Sequence, residues 1–421
     1  MITRRDLVRA LGRRNVADWI VIEREQDVAL ADEARALQRR EKRTLLGLVL
    51  HHDDHLGRGT ARIELAARSG DALAVVDRAI ALARAAIGPV WKSVPPAAPA
   101  KVEVADPALA KTDLRAASAA FLGGLARPPG TTVTASVELV RERVTVQSRS
   151  GLRVTWDATQ VTAHALIATA ERSLDVRRQA RRVEDVAFGP ALAAAVADLQ
   201  QLAGAGAPVA GHCALVLGVD ALLHDNALGV WNVFATQADP QLDRAGLARY
   251  RLGAPIAPGA EQVHEPLTIT SDGTIDFATR SARMGDDGDA IRRFDLVEGG
   301  RSAGLALDGR EAALRHQDPN GGVRNLVVWP GTWNQRPPAM RTIEVRRLRA
   351  LALDAYTGDA TLELGLAIDR DGENARPFTG GSVRLDLIAA LARARRSAAS
   401  VRRGPYVGPA SVLVEDAELI A

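Results

Sequence analysis

Hydrophobic and polar residues follow two different periods along the first ninety residues. Leu7, Val8 and Leu11 share one face of a helix, predicted over residues 3–15, which Thr3 can cap. Four strand-like runs follow, and an alanine-rich stretch with apolar residues at helical spacing predicts a second helix over 70–87. The predicted strands cover residues 18–24, 35–40, 44–50 and 60–65. The pattern therefore predicts a small antiparallel sheet between two helices.

A proline-rich stretch over residues 94–99 predicts a stiff linker after this opening region. Apolar spacing beyond it predicts three helices and two strand regions, before the glycine-rich run at 204–208 interrupts the pattern. The predicted helices cover 112–126, 170–182 and 189–203, and the predicted strands cover 131–147 and 152–156.

After residue 208, short apolar runs alternate with turns rich in glycine, aspartate and asparagine, which indicates a β-rich region. One helix is predicted there, over 384–396. The predicted strands cover 214–217, 267–270, 294–297, 326–329, 342–348 and 361–368. We therefore predict an α+β chain. Its N-terminal α/β domain, with a small antiparallel sheet and helices, spans residues 1–207, and its β-rich C-terminal domain spans 208–421.

Composition narrows the classes of function. Of the 421 residues, 47% are hydrophobic and 25% are charged, as in a globular protein. No apolar run reaches the roughly 18 residues of a membrane span, and charged residues interrupt positions 1–20, so a cytoplasmic protein is expected. The 54 basic residues are interspersed with 51 acidic ones. Because phosphate-binding surfaces concentrate their positive charge, nucleic acid is not expected as the main partner.

Two groups of residues could bind a metal. The run from His51 to His55 holds three histidines and two aspartates, but it lies between an apolar strand and a glycine turn, which favours a hairpin. The second group comprises His212, Cys213, His224 and Asp225, whose side chains are of zinc-binding types. Its spacing matches no known metal motif, and a strand with a buried cysteine followed by a helix beginning near Asp220 is the competing interpretation.

The C-terminal region resembles the TldD/PmbA family. The resemblance lies in a series of glycine-rich and acidic elements that occur in the family's order. These elements are Arg293 to Gly300, Gly304 to Asp308, Asp318 to Asn325, Tyr356 to Ala360, Gly372 to Phe378, Gly380 to Ile388 and Gly408 to Val414. The helices, strands and glycine hairpin of the N-terminal half follow the family order as well.

The resemblance implies zinc peptidase chemistry, but the metal motif is broken. Catalytic members carry His-Glu-x-x-x-His on a helix, followed by a later cysteine, and the matching stretch here runs from Leu222 to Trp231. If Gly229 is matched to the family glycine, Asp225 and Asn226 replace the first His-Glu and Val230 replaces the second histidine. If His224 is matched instead, Asp225 replaces the glutamate and Gly229 the second histidine. Each match loses a ligand, and no cysteine follows Cys213.

The resemblance therefore implies a TldE/PmbA-like subunit that holds no metal itself and pairs with a zinc-containing, TldD-like catalytic subunit. We expect such a pair to cleave unfolded or small modified peptides, including leader peptides of ribosomally made natural products. We expect no catalytic residue in this chain. The residues expected to line the peptide chamber are His224, Asp225, Asn226, Gly229, Val230 and Trp231.

Other interpretations stay open at this stage. Thr357, Gly358 and Asp359 are candidates for a structural turn, because glycine suits a tight turn and aspartate can accept backbone N–H groups. The chain could also be a non-enzymatic regulatory homo-oligomer. A further alternative is an autonomous metallopeptidase with a site rebuilt from His212, Cys213, His224 and Asp225.

Overall fold

The N-terminal half contains one extended sheet and five α-helices among the residues that the structure describes. The computed structural model describes residues 2–421 except 68–69, 94–96, 225–227, 335–339 and 373. The elements of this half are α1 (Arg4–Leu11), β1 (Asp18–Asp32), β2 (Leu37–Asp54), β3 (Gly57–Ala66), α2 (Ala72–Ala85), α3 (Pro107–Lys111), α4 (Leu114–Gly123), β4 (Thr132–Ser148), β5 (Arg153–Ala168), β6 (Ser173–Ala180) and α5 (Phe188–Ala203).

The six strands form an antiparallel sheet in the order β3-β2-β1-β4-β5-β6. Helices α1 and α2 pack their apolar residues against one end of the sheet, around Leu7, Leu48 and Val76. Helices α4 and α5 cover the other end, around Leu139 and Leu192. The predicted cap of α1 is confirmed, because the Thr3 side chain and Asp6 form a reciprocal capping box.

Two predictions for this half are wrong. Residues 35–40 and 44–50 do not form separate strands but belong to the 18-residue strand β2, whose polar first part pairs with β1. Residues 170–182 are not a helix, since β6 occupies 173–180 and pairs with β5. Its Val176 is buried between the exposed residues Asp175 and Arg177, which is the alternation of an edge strand.

Helix α5 is the main element of the stretch Glu184–Ala203, which is long and apolar enough to cross a membrane by length and composition. Its buried residues pack into the core formed by β4, β5 and β6. The buried side includes Phe188, Leu192, Ala195, Leu199 and Leu202. The packing is that of a helix covering a sheet, with the opposite side exposed.

The second half contains short helices and thirteen strands among the residues that the structure describes. They are β7 (Gly211–Gly218), α6 (Val219–Leu222), α7 (Asn232–Gln237), α8 (Pro240–Ala245), β8 (Ile269–Asp272), β9 (Phe294–Glu298), β10 (Arg301–Ser302), α9 (Gly309–Arg315), β11 (Asn325–Val328), β12 (Thr342–Leu353), β13 (Asp359–Asp371), β14 (Asn374–Phe378), β15 (Ser382–Asp386), α10 (Leu387–Arg393), β16 (Arg395–Arg396), β17 (Ser400–Arg403), β18 (Tyr406–Pro409) and β19 (Ser411–Ile420).

These strands form two sheets that share one hydrophobic core. One sheet has the order β10-β9-β8-β11-β18-β17. The other runs β12-β7-β19-β15-β13-β14, and the additional pairing of β12 with β13 closes five of its strands into a barrel. The helix predicted over 384–396 is shorter than expected, because residues 382–386 belong to β15 and Asp386 caps α10. The α+β class is confirmed, and the boundary between residues 207 and 208 stays a prediction.

The segment that follows the linker connects the two halves. Phe277 donates its backbone N–H to the Glu103 carbonyl at 2.7 Å, and Ala100 donates to the Arg283 carbonyl at 2.7 Å. Arg181, on the N-terminal side, donates to backbone carbonyls of the 278–281 loop. Burial lowers the pKa of the Arg181 guanidinium to about 10. Because the group is largely out of water, these carbonyls replace water as the hydrogen-bond partners of its charge.

Candidate functional site

The stretch that matches the family's metal motif begins where β7 leaves the barrel. β7 pairs with β12 and β19, and its last residue, Gly218, precedes the short helix α6. The helix near Asp220 is thus where it was predicted. His224 follows α6, and a single 3-10 turn, Gly229–Trp231, leads into α7.

Gly229 packs against the end of α6. Its φ angle is +52°, and a Cβ atom at this position would lie 1.8 Å from the carbonyl oxygen of Leu222. Both the conformation and the close approach require glycine. Gly229 therefore lies tightly against the end of α6 and begins a 3-10 turn, whereas two histidines presented on one face would need a regular helix at this position.

Val230 and Trp231 are fully buried, with no exposed surface. The Trp231 ring stacks on the Tyr406 ring at a centroid distance of 6.2 Å and packs against Phe234. Tyr406 in turn donates its hydroxyl to the Pro409 carbonyl at 3.0 Å, and burial raises its pKa. The expectation that Val230 and Trp231 line a chamber is thus wrong for this structure, because both side chains fill the core.

The other four residues of the predicted chamber lining differ in burial and in whether the structure describes them. His224 is partly buried, and its backbone N–H donates to the Ala221 carbonyl at 3.4 Å. Gly229 is buried against α6. Asp225 and Asn226 lie outside the residues that the structure describes.

The alternative metal ligands do not converge. His212 is exposed, whereas its neighbour Cys213 is buried on the opposite face of β7, where burial raises the pKa of the thiol. Over the described parts of the chain, no three His, Cys, Asp or Glu residues form a group that could hold a metal ion. Asp225 lies outside those parts. Glycine and valine side chains offer no donor atom, so the residues at 229 and 230 do not fit zinc ligation in either sequence match.

The histidine-rich run forms the β2–β3 hairpin, as expected. Its first member is more buried than a turn residue, because His51 packs edge-on against Trp91 at 4.9 Å between ring centroids. Burial, with the nearby Arg58 charge, lowers the pKa of His51 to about 4. Arg58 in turn binds Asp53 and lies over the Trp91 ring, so these residues form a structural group.

A charged cluster lies beside α6. Asp220 Oδ1 is 3.3 Å from Nη2 of Arg178 on β6 and 2.5 Å from Nη2 of Arg403 on β17. Burial raises the pKa of Asp220, but the nearby arginine charges outweigh it, and its pKa lies below the usual value. Arg347 on β12 adds a third guanidinium and bonds Asp198 on α5 at 2.8 Å.

No pattern in the sequence predicts this cluster. Its five members lie on five different elements, and each was one ordinary charged residue among many. The one available signal was the short spacing between Asp220 and the broken metal motif.

A shallow groove of about 770 Å³ marks a second location, at one end of the barrel. Its lining residues are Ala352, Leu353, Asp354, Asp359, Ala360, Thr361, Arg384, Leu385 and Asp386. The predicted turn residues lie at its rim. Asp354 accepts the N–H groups of Tyr356 and Thr357, and Thr357 Oγ1 donates to Asp359 at 2.9 Å.

Gly358 completes this turn with a φ of +82°. Arg249 holds the turn against α10, because its guanidinium bonds the Thr357 carbonyl and Asp386. The side chains around the turn thus bond mainly to one another, which is the arrangement of a structural turn.

Comparison with known proteins shows similarity to PmbA/TldA-type proteins, in sequence over the C-terminal part and in structure over nearly the whole chain. Residues 253–420 match the profile of the PmbA/TldA metallopeptidase C-terminal domain. The structure of TldE from Thermococcus kodakarensis superimposes with a TM-score of 0.75 at 13% identity, covering 99% of each chain. A protein from Bacteroides thetaiotaomicron described as a candidate modulator of DNA gyrase gives a TM-score of 0.77 at 15% identity over 100% of both chains.

A third structure, from Thermotoga maritima and also described as a candidate modulator of a DNA gyrase, gives a TM-score of 0.76 at 14% identity. It covers 98% of each chain. No curated protein sequence matches. At these identities the structural matches establish a common fold, and the profile match extends over residues 253–420.

Proposed function

We propose that this chain is a member of the TldD/PmbA family, whose C-terminal domain profile matches residues 253–420. Within that family, we propose that it is the non-catalytic, TldE/PmbA-like subunit of a heterodimeric zinc peptidase. The partner is a TldD-like subunit that supplies the zinc and the catalytic groups. The pair acts on unfolded or small modified peptides, such as leader peptides, in the cytoplasm.

The packing of the broken metal motif carries this proposal. A catalytic zinc site needs three protein ligands and an open coordination position. Here Gly229 packs tightly against the end of α6, and Val230 and Trp231 are buried in the core. Two arginines bind Asp220 at the start of α6. These features support a chain that shapes a peptide chamber without binding metal.

The fold supplies surfaces suited to an extended substrate. Strands β6 and β17 each pair with a neighbour on one side only, among the pairings of the described residues. An unpaired edge can add a peptide strand through backbone hydrogen bonds, which bind many sequences because they do not depend on side chains. This is the kind of recognition that an enzyme acting on varied peptides requires.

The test is metal content and activity with and without the partner. We expect the isolated chain to contain no stoichiometric zinc, and the complex with a zinc-containing TldD-like subunit to contain about one zinc per heterodimer and to cleave an unfolded peptide. The matched control replaces the glutamate of the partner's His-Glu-x-x-x-His motif by glutamine, which should abolish cleavage and keep the heterodimer. His224→Ala in this chain should leave the zinc content of the complex unchanged.

Other results would refute the proposal in distinct ways. One zinc in the isolated chain, lost in His224→Ala, would identify an autonomous metallopeptidase. A stable homo-oligomer that neither binds the TldD-like subunit nor changes its activity would identify a regulatory protein.

A further inference from the structure

The charged cluster beside α6 has more positive than negative charge. Three guanidinium groups face two carboxylates, so one positive charge has no counterpart within the cluster. Each member is largely buried: side-chain exposure is 13% for Arg178, 12% for Arg347 and 22% for Arg403. In such surroundings, charges interact more strongly than they do in water.

One donor in the cluster has no acceptor. Arg347 uses Nε to bond Asp198, whereas its Nη2 is buried and has no hydrogen-bond partner among the described residues. A buried N–H group without an acceptor is costly, and more so on a charged side chain. Burial and repulsion from Arg403 also lower the pKa of Arg178 to about 10, which indicates that the positive charges are not fully balanced.

The cluster borders solvent on one side. Asp220 and Arg403 each keep 22% of their side-chain surface exposed. Arg403 belongs to β17, and Arg178 to β6. Both strands lie at an edge of their sheet, where an extended peptide can add, so the end of a bound peptide can come close to the arginines.

We propose that Arg178, Arg347 and Arg403 form an oxyanion-binding site that takes the terminal carboxylate of a peptide. The substrate class rests on the function proposed above. Arginine suits this role because its planar group donates two parallel hydrogen bonds to a carboxylate. An oxyanion would accept from Arg347 Nη2 and balance the excess charge. Recognition of the chain end would fix the position of a peptide that the strand edges bind without regard to sequence.

The experiment is calorimetric titration of the isolated full-length chain. The probes are trialanine with a free carboxylate, trialanine amide and inorganic phosphate, all at one ionic strength. We expect the free acid to bind at least tenfold more tightly than the amide. Arg347→Gln should weaken binding of the free acid at least tenfold. Arg341→Gln is the matched control, because Arg341 forms an equally short ion pair with Asp369 at 2.8 Å away from the cluster.

A second variant keeps the test decisive if Arg347→Gln does not fold. Asp220→Asn removes a negative charge from the cluster and should tighten binding of the free acid several-fold. If the cluster only joined structural elements, this change would lower the melting temperature without raising affinity for the carboxylate.

The outcomes separate this proposal from the one on which it rests. Equal binding of acid and amide, or unchanged binding in Arg347→Gln, would overturn it. Binding of phosphate alone, lost in Arg347→Gln, would support an oxyanion site but refute the peptide end as its ligand. None of these results depends on zinc or on the partner, so the closing-subunit proposal is tested separately.

Discussion

Replacing Asp289 by asparagine is expected to stabilise this protein increasingly as the pH rises from 5 to 8. Asp289 lies between the two halves, where its carboxylate accepts the Gly309 N–H at 3.0 Å. Burial, followed by the negative charges of Asp287 and Asp308, raises its pKa from 3.8 to about 7 despite this hydrogen bond and the nearby Arg62.

The sign follows from proton linkage. Between pH 4 and 7 the folded chain keeps the proton on Asp289, whereas the unfolded chain releases it. The stability that the Asp289 proton contributes is fully present below the pKa of Asp289 in the unfolded chain. It is lost as the pH rises towards the pKa of Asp289 in the folded chain. One pKa unit corresponds to about 1.4 kcal/mol, so the full loss is about 4 kcal/mol, of which about 2.5 kcal/mol falls between pH 5 and 8.

Asparagine keeps the shape and the acceptor oxygen but does not titrate. The assay is urea unfolding of both proteins at pH 5, 6, 7 and 8, followed by tryptophan fluorescence. The gain of Asp289→Asn over the parent should grow by about 2.5 kcal/mol across this range. The matched control is Asp318→Asn, because Asp318 is 71% exposed and pairs with Arg292 at the surface. A gain that is the same at every pH would refute the reasoning, because it would show that the Asp289 proton is not coupled to folding.

Three further changes test the packing around the site. Gly229→Ala should lower the melting temperature by several degrees, because the new Cβ atom collides with the backbone and the φ angle is positive. The control Gly189→Ala should not lower it, because Gly189 lies in a helix and its new Cβ atom meets nothing within 4 Å. Trp231→Ala should cost about 3–5 kcal/mol in urea unfolding, and the half-exposed Trp329→Ala less than about 1 kcal/mol. Arg181→Met should increase the rate of proteolytic cleavage near residues 278–281, whose carbonyls lose their donor; an unchanged rate would show that other contacts hold the halves together.

The sequence predicts those helices and strands whose capping residues and apolar spacing lie within one short segment of the chain. The Thr3 cap and the helix at 72–85 follow from spacing alone. Strand β6 was missed because an edge strand with Asp175 and Arg177 on its exposed face lacks the apolar run that identifies a buried strand. Strand β2 was divided for the same reason, since its polar part is held by pairing with β1 and not by its own hydrophobicity.

The site was harder to predict than the fold. The broken His-Glu-x-x-x-His stretch could be recognised by its resemblance to the family, but the sequence did not indicate that Trp231 is a core residue. Trp231 is buried partly by Tyr406, which is distant in sequence and lies on β18, a strand that pairs with β11 and β17. The arginine cluster is likewise a product of tertiary structure, because no short segment contains more than one of its members.

The position of β19 in the barrel has a consequence for biosynthesis. This strand lies between β7 and β15, and it joins residues on the order of 200 positions apart, from Ser411 to Gly218. While a ribosome is still translating the residues before Ser411, the edge of β7 that pairs with β19 stays unpaired, and so does that of β15 once residues 382–386 have been made. Such edges can join those of other nascent chains. The barrel can close only after residue 420 has been made. A premature stop after Ala410 would thus remove the eleven residues from Ser411 to Ala421, including all of β19, and leave a chain that aggregates, although every other strand of the barrel is present.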